Sequence, residues 1–332
     1  MPTFHFHPRR VLGRTGFVAT ILGIGDLADR QMPRAQLVAT LRRALDAGLN
    51  VIDTAPGYAD GYSEEVVGQA VQGYREGVFV IDKIDHLDQP VAPQIAASLK
   101  RLQMDATDLL VFHNVSTLIA WASLTAPGGG MEQLDQAMRT GKTRFKGISS
   151  HHPAVLAAAI PSGLVDVVMF PVGPYVDRRY EEEILPLARQ YRVGTVCFKT
   201  FGAGKLLDDT SGYNQPLQEW PPGMGRTAEH IPGQPRLPHL SVTQCVQYTL
   251  TCDPDVALLG LSFPHEQDVA FAAAQAFTTP PQPGADGNDS AVSRGGGRSQ
   301  RPVLVESQHT LVRRTAMSQC QPVVALSRHS GW

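Results

Sequence analysis

The sequence has few cysteines, and they lie far apart in the chain. There are four in 332 residues, at positions 197, 245, 252 and 320, with no CxxC pair. This pattern argues against a disulfide framework, an iron–sulfur cluster and a structural zinc, so we expect no metal site. Because disulfides persist in oxidising compartments, the pattern is typical of a cytoplasmic protein.

A long apolar run and an excess of one charge are also missing. No stretch approaches the roughly 20 apolar residues that cross a bilayer, and the segment MPTFHFHPRRVLGRTG lacks the apolar core of a secretory signal. The formal net charge of −2 gives no reason to expect nucleic acid or an anionic membrane as a partner. With 42% hydrophobic and 18% charged residues, the composition indicates a soluble globular protein.

The chain lacks the glycine fingerprint of an open, doubly wound sheet, since the first predicted strand and the residues after it, LGIGDLADR, contain only Gly23 and Gly25. Apolar strand segments instead alternate with amphipathic helical segments, which predicts an α/β fold of the (β/α)₈ TIM barrel type. The predicted strands are residues 21–25, 51–53, 78–83, 109–113, 145–149, 165–171, 193–199 and 256–260. The predicted helices are residues 34–47, 63–72, 93–102, 131–140, 153–160, 180–191, 242–251 and 265–277.

Three segments fall outside this alternation. RRVLGRTGFVA predicts an N-terminal hairpin that turns at residues 14–16 and covers one end of the barrel. Residues 208–239, rich in proline, glycine and polar side chains, predict a lid, a binding loop or a disordered segment. Residues 278–332 have the composition of a disordered tail, either a flexible end or the product of a reading-frame change. We therefore divide the chain into a barrel of residues 1–277 and a tail of residues 278–332.

Polar residues close three successive apolar runs, LNVID, GVFVIDK and DLLVFH. These runs end at Asp53, Lys83 and His113, and Tyr58 follows the first of them after a short turn. Each residue alone has an ordinary explanation, as a turn residue, a surface aromatic, a solvated lysine or a structural histidine. Together they are not typical of strands in a protein core, because burying an unpaired charge is unfavourable. At the carboxyl ends of parallel strands, such residues face the mouth of the barrel, where active sites form.

The motif IDTAPGYADGYSEEVVG resembles the signature of the aldo-keto reductase family, in which a tyrosine follows an aspartate by five residues. Five further segments resemble that family in the same order, and the likeness covers roughly residues 9–277. These segments are FVIDK, LLVFH, KGISSHHPAVL, FKTFGAGKLL and DVALLGLSFPHEQD. The resemblance implies a (β/α)₈ barrel, NADPH as the usual cofactor, and the reduction of aldehydes and ketones.

This resemblance implies that Tyr58 is the general acid, with Asp53, Lys83 and His113 as its partners. Hydride reduction of a carbonyl leaves an alkoxide that needs a proton. A phenol ordinarily holds its proton up to a pH near 10, and a nearby ammonium lowers that pKa. Lys83 suits this role, with Asp53 holding it by a charge-assisted contact. His113 can orient the carbonyl or help relay the proton. Tyr62 is a rival acid, but the five-residue step from Asp53 selects Tyr58.

The same resemblance implies a set of cofactor-binding residues at the other strand ends. Ser149 and Ser150 match a Ser-Asn pair that binds the nicotinamide amide, although Ser150 replaces the asparagine and Met169 stands where many members have glutamine. The resemblance implies NADPH as the cofactor, but the eighth-strand segment lacks the arginine or lysine that binds the 2′-phosphate, so NADH is the alternative. The full set is Gly25, Ser149, Ser150, Lys199, Phe201, Gly202, Gly204, Gly260, Ser262 and Gln267.

The leading hypothesis is therefore an NAD(P)-dependent oxidoreductase that interconverts a small carbonyl compound and an alcohol. The direction of the reaction, the physiological substrate and the oligomeric state stay open. A nucleotide-binding regulatory protein on the same barrel, with little or no turnover, is the first alternative. A metal-dependent hydrolase is the second, but only His113 and Asp53 would serve it as ligands.

Overall fold

Eight parallel strands form a closed barrel in the computed structural model, which describes residues 5–25, 30, 32–202, 206–207, 240–260 and 264–278. The barrel strands are β3 (Leu22–Ile24), β4 (Val51–Asp53), β5 (Phe79–Ile84), β6 (Leu109–Phe112), β7 (Phe145–Ser149), β8 (Val167–Pro171), β9 (Gly194–Phe198) and β10 (Val256–Leu259). Consecutive strands are neighbours, and β10 closes the barrel by pairing with β3. The predicted (β/α)₈ barrel is confirmed.

The predicted N-terminal hairpin is also present. It consists of β1 (Arg9–Val11) and β2 (Val18–Thr20), which pair antiparallel, joined by a single 3₁₀ turn at Gly13–Thr15. Between them, Leu12 is fully buried among the side chains that fill the barrel. A Cβ atom at Gly13 would clash with the backbone of Gly194 at the start of β9. The hairpin therefore closes the amino-terminal end of the barrel, where only glycine allows the two backbones to approach.

Helices cover the outer face of the sheet. They are α1 (Arg34–Asp46), α2 (Tyr62–Ala70), α3 (Val91–Leu102), α4 (Leu118–Thr125), α5 (Gly130–Arg139), α6 (Pro153–Ala159), α7 (Leu185–Tyr191), α8 (Val242–Thr251) and α9 (Pro264–Gln275), and α7 continues a π-helical turn at Tyr180–Ile184. Predicted and observed bounds of strands and helices agree within two residues. Only α4 was not predicted, because its sequence LIAWASLT has no polar face and so no helical period.

Side chains along each barrel strand alternate between the barrel interior and the helix layer. The interior cluster includes Val51, Ile81, Val111 and Val196, and Phe198 packs against it. Asp53, Lys83 and His113 each lie two residues beyond a member of this cluster, and therefore project inward near the carboxyl end. The layout thus gathers the strand-end residues at one mouth.

Several predictions concern residues outside the described part of the chain. These are Gly204, Ser262, the segment 208–239 and the tail from residue 279 onward, and they stay predictions together with the division into barrel and tail. No helix in the described part of the chain combines the length and the apolar character that crossing a membrane requires.

Candidate active site

The structure brings the four predicted catalytic side chains together at the carboxyl end of the barrel. Asp53 is the last residue of β4, Lys83 lies in the adjacent β5, and His113 directly follows β6. Tyr58 lies in the turn between β4 and α2. Because the three strands are neighbours, their ends present an acid, a base and a histidine side by side.

A buried ion pair forms the floor of this cluster. Lys83 Nζ lies 2.6 Å from Asp53 Oδ1 and also donates to the backbone carbonyl of Thr54 at 2.7 Å. The two side chains are only 2% and 5% exposed. Burial raises the pKa of the Asp53 carboxyl above its usual range, and the ammonium offsets part of that increase. Burial would lower the pKa of Lys83, but Asp53 and Tyr58 outweigh it and raise the pKa, so Lys83 stays charged.

Tyr58 lies above this ion pair and beside His113. Lys83 Nζ is 4.5 Å from the centre of the Tyr58 ring, and a hydrogen bond with the Tyr58 hydroxyl helps raise the pKa of Lys83. The rings of Tyr58 and His113 meet edge to face with centroids 5.6 Å apart. Both residues are partly exposed, so the groups suited to proton transfer reach the mouth while the ion pair stays below.

The turn that carries Tyr58 has an unusual backbone. Ala59 and Asp60 adopt left-handed conformations with φ of 50° and 54°, which non-glycine residues rarely occupy. Arg30 donates to the carbonyl of Ala59 and forms an ion pair with Asp60. These contacts oppose relaxation of the turn, so they help keep Tyr58 in place.

Asp85 is a site residue that sequence reasoning missed. Its Oδ1 lies 2.6 Å from Nδ1 of His113, and their side chains are 20% and 27% exposed. Burial tends to raise the pKa of Asp85, but the hydrogen bond and the charge of His113 outweigh this and bring the pKa below its usual range. The available signal was spacing, because Asp85 follows Lys83 by two residues in FVIDKID.

The two serines after the fifth barrel strand differ in their hydrogen bonding. Ser149 Oγ accepts from the backbone amide of Asn114 at 2.8 Å, which leaves its own hydroxyl hydrogen to donate elsewhere. Ser150 is fully buried, donates to the carbonyl of Val115 and accepts from the amide of His152. Ser149 thus retains a donor at the interior face, whereas the donor of Ser150 is already used.

The other predicted cofactor residues are spread over the same end of the barrel. Gly25 and Gly260 directly follow β3 and β10, Lys199 is exposed after β9, and Gly202 is partly exposed in the turn beyond it. Phe201 and Gln267 are buried, at 1% and 0% exposed. Gly25, Gly202 and Gly260 therefore lie at or just beyond the carboxyl ends of barrel strands, whereas the side chains of Phe201 and Gln267 are buried.

Two further side chains lie in the barrel interior near the carboxyl ends of β8 and β9. Phe198, which sequence reasoning missed, is partly exposed at the end of β9, and its ring lies 5.1 Å from that of His151. The signal for Phe198 was its alternation with Val196 and Gly194. Met169 is fully buried in the interior cluster. No group of three or more His, Cys, Asp or Glu residues in the described ranges is arranged to hold a metal ion.

Comparison with known proteins places the chain in a family. The model of the aldo/keto reductase family matches residues 20–252, more than two thirds of the chain. Methylglyoxal reductase YeaE of Escherichia coli is 31% identical over 178 residues, 51% of this chain and 59% of that relative. L-galactose dehydrogenase of Arabidopsis thaliana is 30% identical over 232 residues, 64% of this chain and 69% of that relative. The chain therefore spans less than two thirds of the first of these relatives.

A solved structure shows the same fold. It is an aldo-keto reductase from Klebsiella pneumoniae in complex with NADPH, with a TM-score of 0.62 and 22% identity, covering 82% of this chain and 92% of that one. An identity of 22% supports a shared fold only. The family match rests on the sequence itself and extends from the end of β2 through α8. The chain belongs to the aldo/keto reductase family.

Proposed function

We propose that this protein is an NAD(P)H-dependent oxidoreductase that interconverts a small aldehyde or ketone with the corresponding alcohol, using Tyr58 as general acid and base. The observation that carries the proposal is the convergence of Tyr58 and His113 at the mouth above the Lys83–Asp53 ion pair, with Lys83 Nζ 2.6 Å from Asp53. Membership of the aldo/keto reductase family supports the same reaction class.

Tyr58 is suited to proton transfer because of the charge beneath it. An ammonium beside a phenol stabilises the phenolate and makes the hydroxyl a better acid. Lys83 is held in its charged form by Asp53, and its position 4.5 Å from the ring centre keeps that charge close. In the reductive direction Tyr58 donates its proton to the substrate oxygen, and in the oxidative direction the phenolate removes one.

His113 is suited to orient the substrate oxygen. Its ring is fixed at Nδ1 by Asp85 and packs edge to face against Tyr58. The side chains of His113 and Tyr58 therefore border the same small region above the ion pair, where one carbonyl oxygen can contact both of them. A positioned acid of this kind contributes a rate enhancement of about 10²- to 10⁴-fold.

The opposite side of the mouth fits a nicotinamide cofactor. Bound there, NADPH, or NADH as the alternative, supplies the hydride. Ser149 offers an unused hydroxyl donor for an amide, and the partly exposed ring of Phe198 offers a flat apolar surface for a planar ring. The backbones of Gly25, Gly202 and Gly260 lie at the same rim. Roles for Ser150, Lys199, Phe201, Gly204, Ser262 and Gln267 stay predictions.

A small, oxygen-rich carbonyl compound is the substrate class that we propose to test first. The relatives are a methylglyoxal reductase and an L-galactose dehydrogenase by name, so an α-oxo aldehyde and an aldose represent the two kinds of substrate.

The deciding experiment is a titration with NADPH and NADH, followed by turnover of a carbonyl panel that includes both substrate kinds. We expect one dinucleotide to quench tryptophan fluorescence and raise the melting temperature, and we expect Tyr58→Phe to bind it equally well without turning over. Absence of binding at millimolar concentration contradicts the proposal. Tight binding without turnover of any carbonyl or alcohol favours the alternative of a nucleotide-binding regulatory protein.

A further inference from the structure

The Asp85 carboxylate contacts two segments that carry the proposed proton-transfer groups. Its Oδ1 lies 2.6 Å from Nδ1 of His113, at the end of β6. The backbone of Gly57 lies against the same carboxylate and helps to stabilise its ionised form. Gly57 directly precedes Tyr58, so Asp85 links the turn that holds Tyr58 to the ring of His113.

The fit around Asp85 is close on the side of the turn. A Cβ atom at residue 57 would lie 2.7 Å from Oδ2 of Asp85, which is too short for van der Waals contact. Glycine at this position therefore allows the turn to approach the carboxylate. The two carboxylate oxygens consequently face different partners, one in the turn and one on the imidazole.

The chemistry of a carboxylate restricts what His113 can do. An ionised aspartate only accepts hydrogen bonds, so Nδ1 of His113 must carry a proton to reach Asp85 at 2.6 Å. The other ring nitrogen, Nε2, then accepts a hydrogen bond when the ring is neutral and donates one when it is protonated. The His113 hydrogen bond outweighs burial and brings the pKa of Asp85 below its usual range, so Asp85 is ionised at neutral pH.

We propose that Asp85 is a positioning residue, which holds His113 with Nδ1 protonated and Nε2 facing the substrate, and which ties the Tyr58 turn to His113 through Gly57. The kinetic consequence rests on the proposed function, because it assumes that Tyr58 and His113 share one substrate oxygen. The protonated state of Nδ1 does not depend on that function and can be observed directly.

The kinetic test compares Asp85→Ala with Asp88→Ala, a change of the same kind at an exposed position three residues further on. We expect Asp85→Ala to lower kcat by about 10- to 100-fold, the range found when a partner that orients a histidine is removed. The Kd for the dinucleotide should stay at the wild-type value, since Asp85 bonds to His113 and not to Ser149. Asp88→Ala should change neither.

Gly57→Ala provides a second variant that leaves both Asp85 and His113 in the chain. Gly57 is exposed and has no left-handed φ, so alanine is compatible with its backbone, while the added methyl group displaces the carboxylate. We expect kcat to fall again with an unchanged dinucleotide Kd. This variant keeps the proposal testable if Asp85→Ala does not fold.

The spectroscopic test is ¹⁵N NMR of histidine side chains, with the His113 signals assigned from a His113→Gln variant. In the wild type we expect Nδ1 of His113 to be protonated, and in Asp85→Ala and Gly57→Ala we expect the neutral ring to shift toward the Nε2-protonated form. Wild-type Nδ1 without a proton, or kcat in Asp85→Ala equal to that in Asp88→Ala, overturns the inference. A wild type that shows the expected signals but no turnover instead contradicts the proposed function.

Discussion

Lys83 and Asp82 are adjacent on β5, yet their side chains lie on opposite faces of the barrel sheet and differ in their partners. Lys83 projects into the barrel interior, where Asp53 lies 2.6 Å away. Asp82 projects into the helix layer and is fully buried, and neither of its oxygens has a hydrogen-bond partner of good geometry among the described residues. Lys83 thus has a counter-charge, whereas Asp82 has no such partner.

Burial opposes the charged form of both groups, and the difference lies in whether the partners of each group outweigh burial. The partners of Lys83 raise its pKa and keep it charged. Burial, together with the nearby Glu64 carboxylate, raises the pKa of Asp82 to about 8, and the Lys83 backbone and Ser98 hydroxyl offset only part of this. Burial therefore favours the neutral form of Asp82. A charge is retained in this interior where a counter-charge is supplied, and it is lost where none is.

The same contrast recurs at the end of β7. Ser149 faces the interior, and its hydroxyl oxygen accepts from the amide of Asn114, while the next residue, Ser150, donates to the backbone of Val115. The hydroxyl hydrogen of Ser149 thus stays available, whereas that of Ser150 is used by the fold.

The largest effect is expected from removing Lys83, the cation in the barrel interior. Lys83→Met leaves Asp53 buried without its counter-charge, which we expect to lower the free energy of unfolding at pH 8 by about 3–5 kcal/mol and to abolish turnover. The pKa of Asp53 is already raised and should rise further in the variant. The loss of stability should therefore grow as the pH increases from 5 to 8.

A double variant is the control for this prediction. Asp53→Asn combined with Lys83→Met removes both charges, so the free energy of unfolding, measured by urea denaturation, should return toward the wild-type value while turnover stays absent. A single variant as stable as the wild type at pH 8 would show that the ion pair does not hold this site together.

Removing the acid itself should affect chemistry without affecting the fold. We expect Tyr58→Phe to lower kcat by at least ~10²-fold, the scale for losing a positioned acid, with the Kd for the dinucleotide unchanged. Tyr62→Phe is the matched control, because the Tyr62 hydroxyl bonds only loosely to Met32 at 3.4 Å. If Tyr62→Phe is inactive and Tyr58→Phe is active, the role belongs to Tyr62.

On the outward face, Asp82→Asn should increase stability at high pH. Because the pKa of Asp82 is about 8 in the folded state, the unfolded chain loses this proton near pH 4 while the folded chain keeps it. The wild-type free energy of unfolding therefore falls as the pH rises between these values. The advantage of Asp82→Asn over the wild type should grow by on the order of 3 kcal/mol between pH 5 and pH 8.

Urea denaturation at the two pH values measures this difference, with the exposed Asp88→Asn as the control. An advantage of Asp82→Asn that does not change with pH would mean that Asp82 is ionised in the folded protein. Activity should stay at the wild-type level in both variants, because Asp82 is buried in the helix layer and Asp88 is an exposed loop residue.

The smallest expected effects separate the two serines. Ser149→Ala should weaken dinucleotide binding by about 1 kcal/mol, typical of one lost neutral hydrogen bond. Ser150→Ala should instead lower the free energy of unfolding by about the same amount, because its hydroxyl satisfies buried backbone groups. Titration calorimetry and urea denaturation measure the two quantities, and the reverse assignment of effects would place Ser150 at the cofactor.

Much of the fold could be predicted from the sequence because its signals are local. The alternation of apolar strands with amphipathic helices depends on neighbours in the chain, and it placed the elements within two residues of their observed bounds. Helix α4 was missed because LIAWASLT lacks a polar face. Asp53, Lys83 and His113 could be found for a similar reason, since each polar residue ends an apolar run.

The contacts within the site could not be predicted in the same way. His113 and Asp85 are 28 residues apart. The two-residue step from Lys83 distinguishes Asp85 as a strand-end residue, but no local pattern shows that Asp85 pairs with His113. Ser149 and Ser150 are chemically identical neighbours, and only the path of the turn after β7 determines which of them donates to the backbone. These outcomes depend on closure of the barrel, which brings distant segments together.

The sequence by itself determined the barrel and the polar residues Asp53, Lys83 and His113 at its strand ends, because hydrophobic periodicity and residue order act along the chain. The tertiary structure alone decided which of those residues are paired, which are buried, and which keep a hydrogen bond to offer. Pairing and burial set the charge state of an ionisable group through its surroundings in space. Those surroundings exist only once β4, β5 and β6 lie side by side.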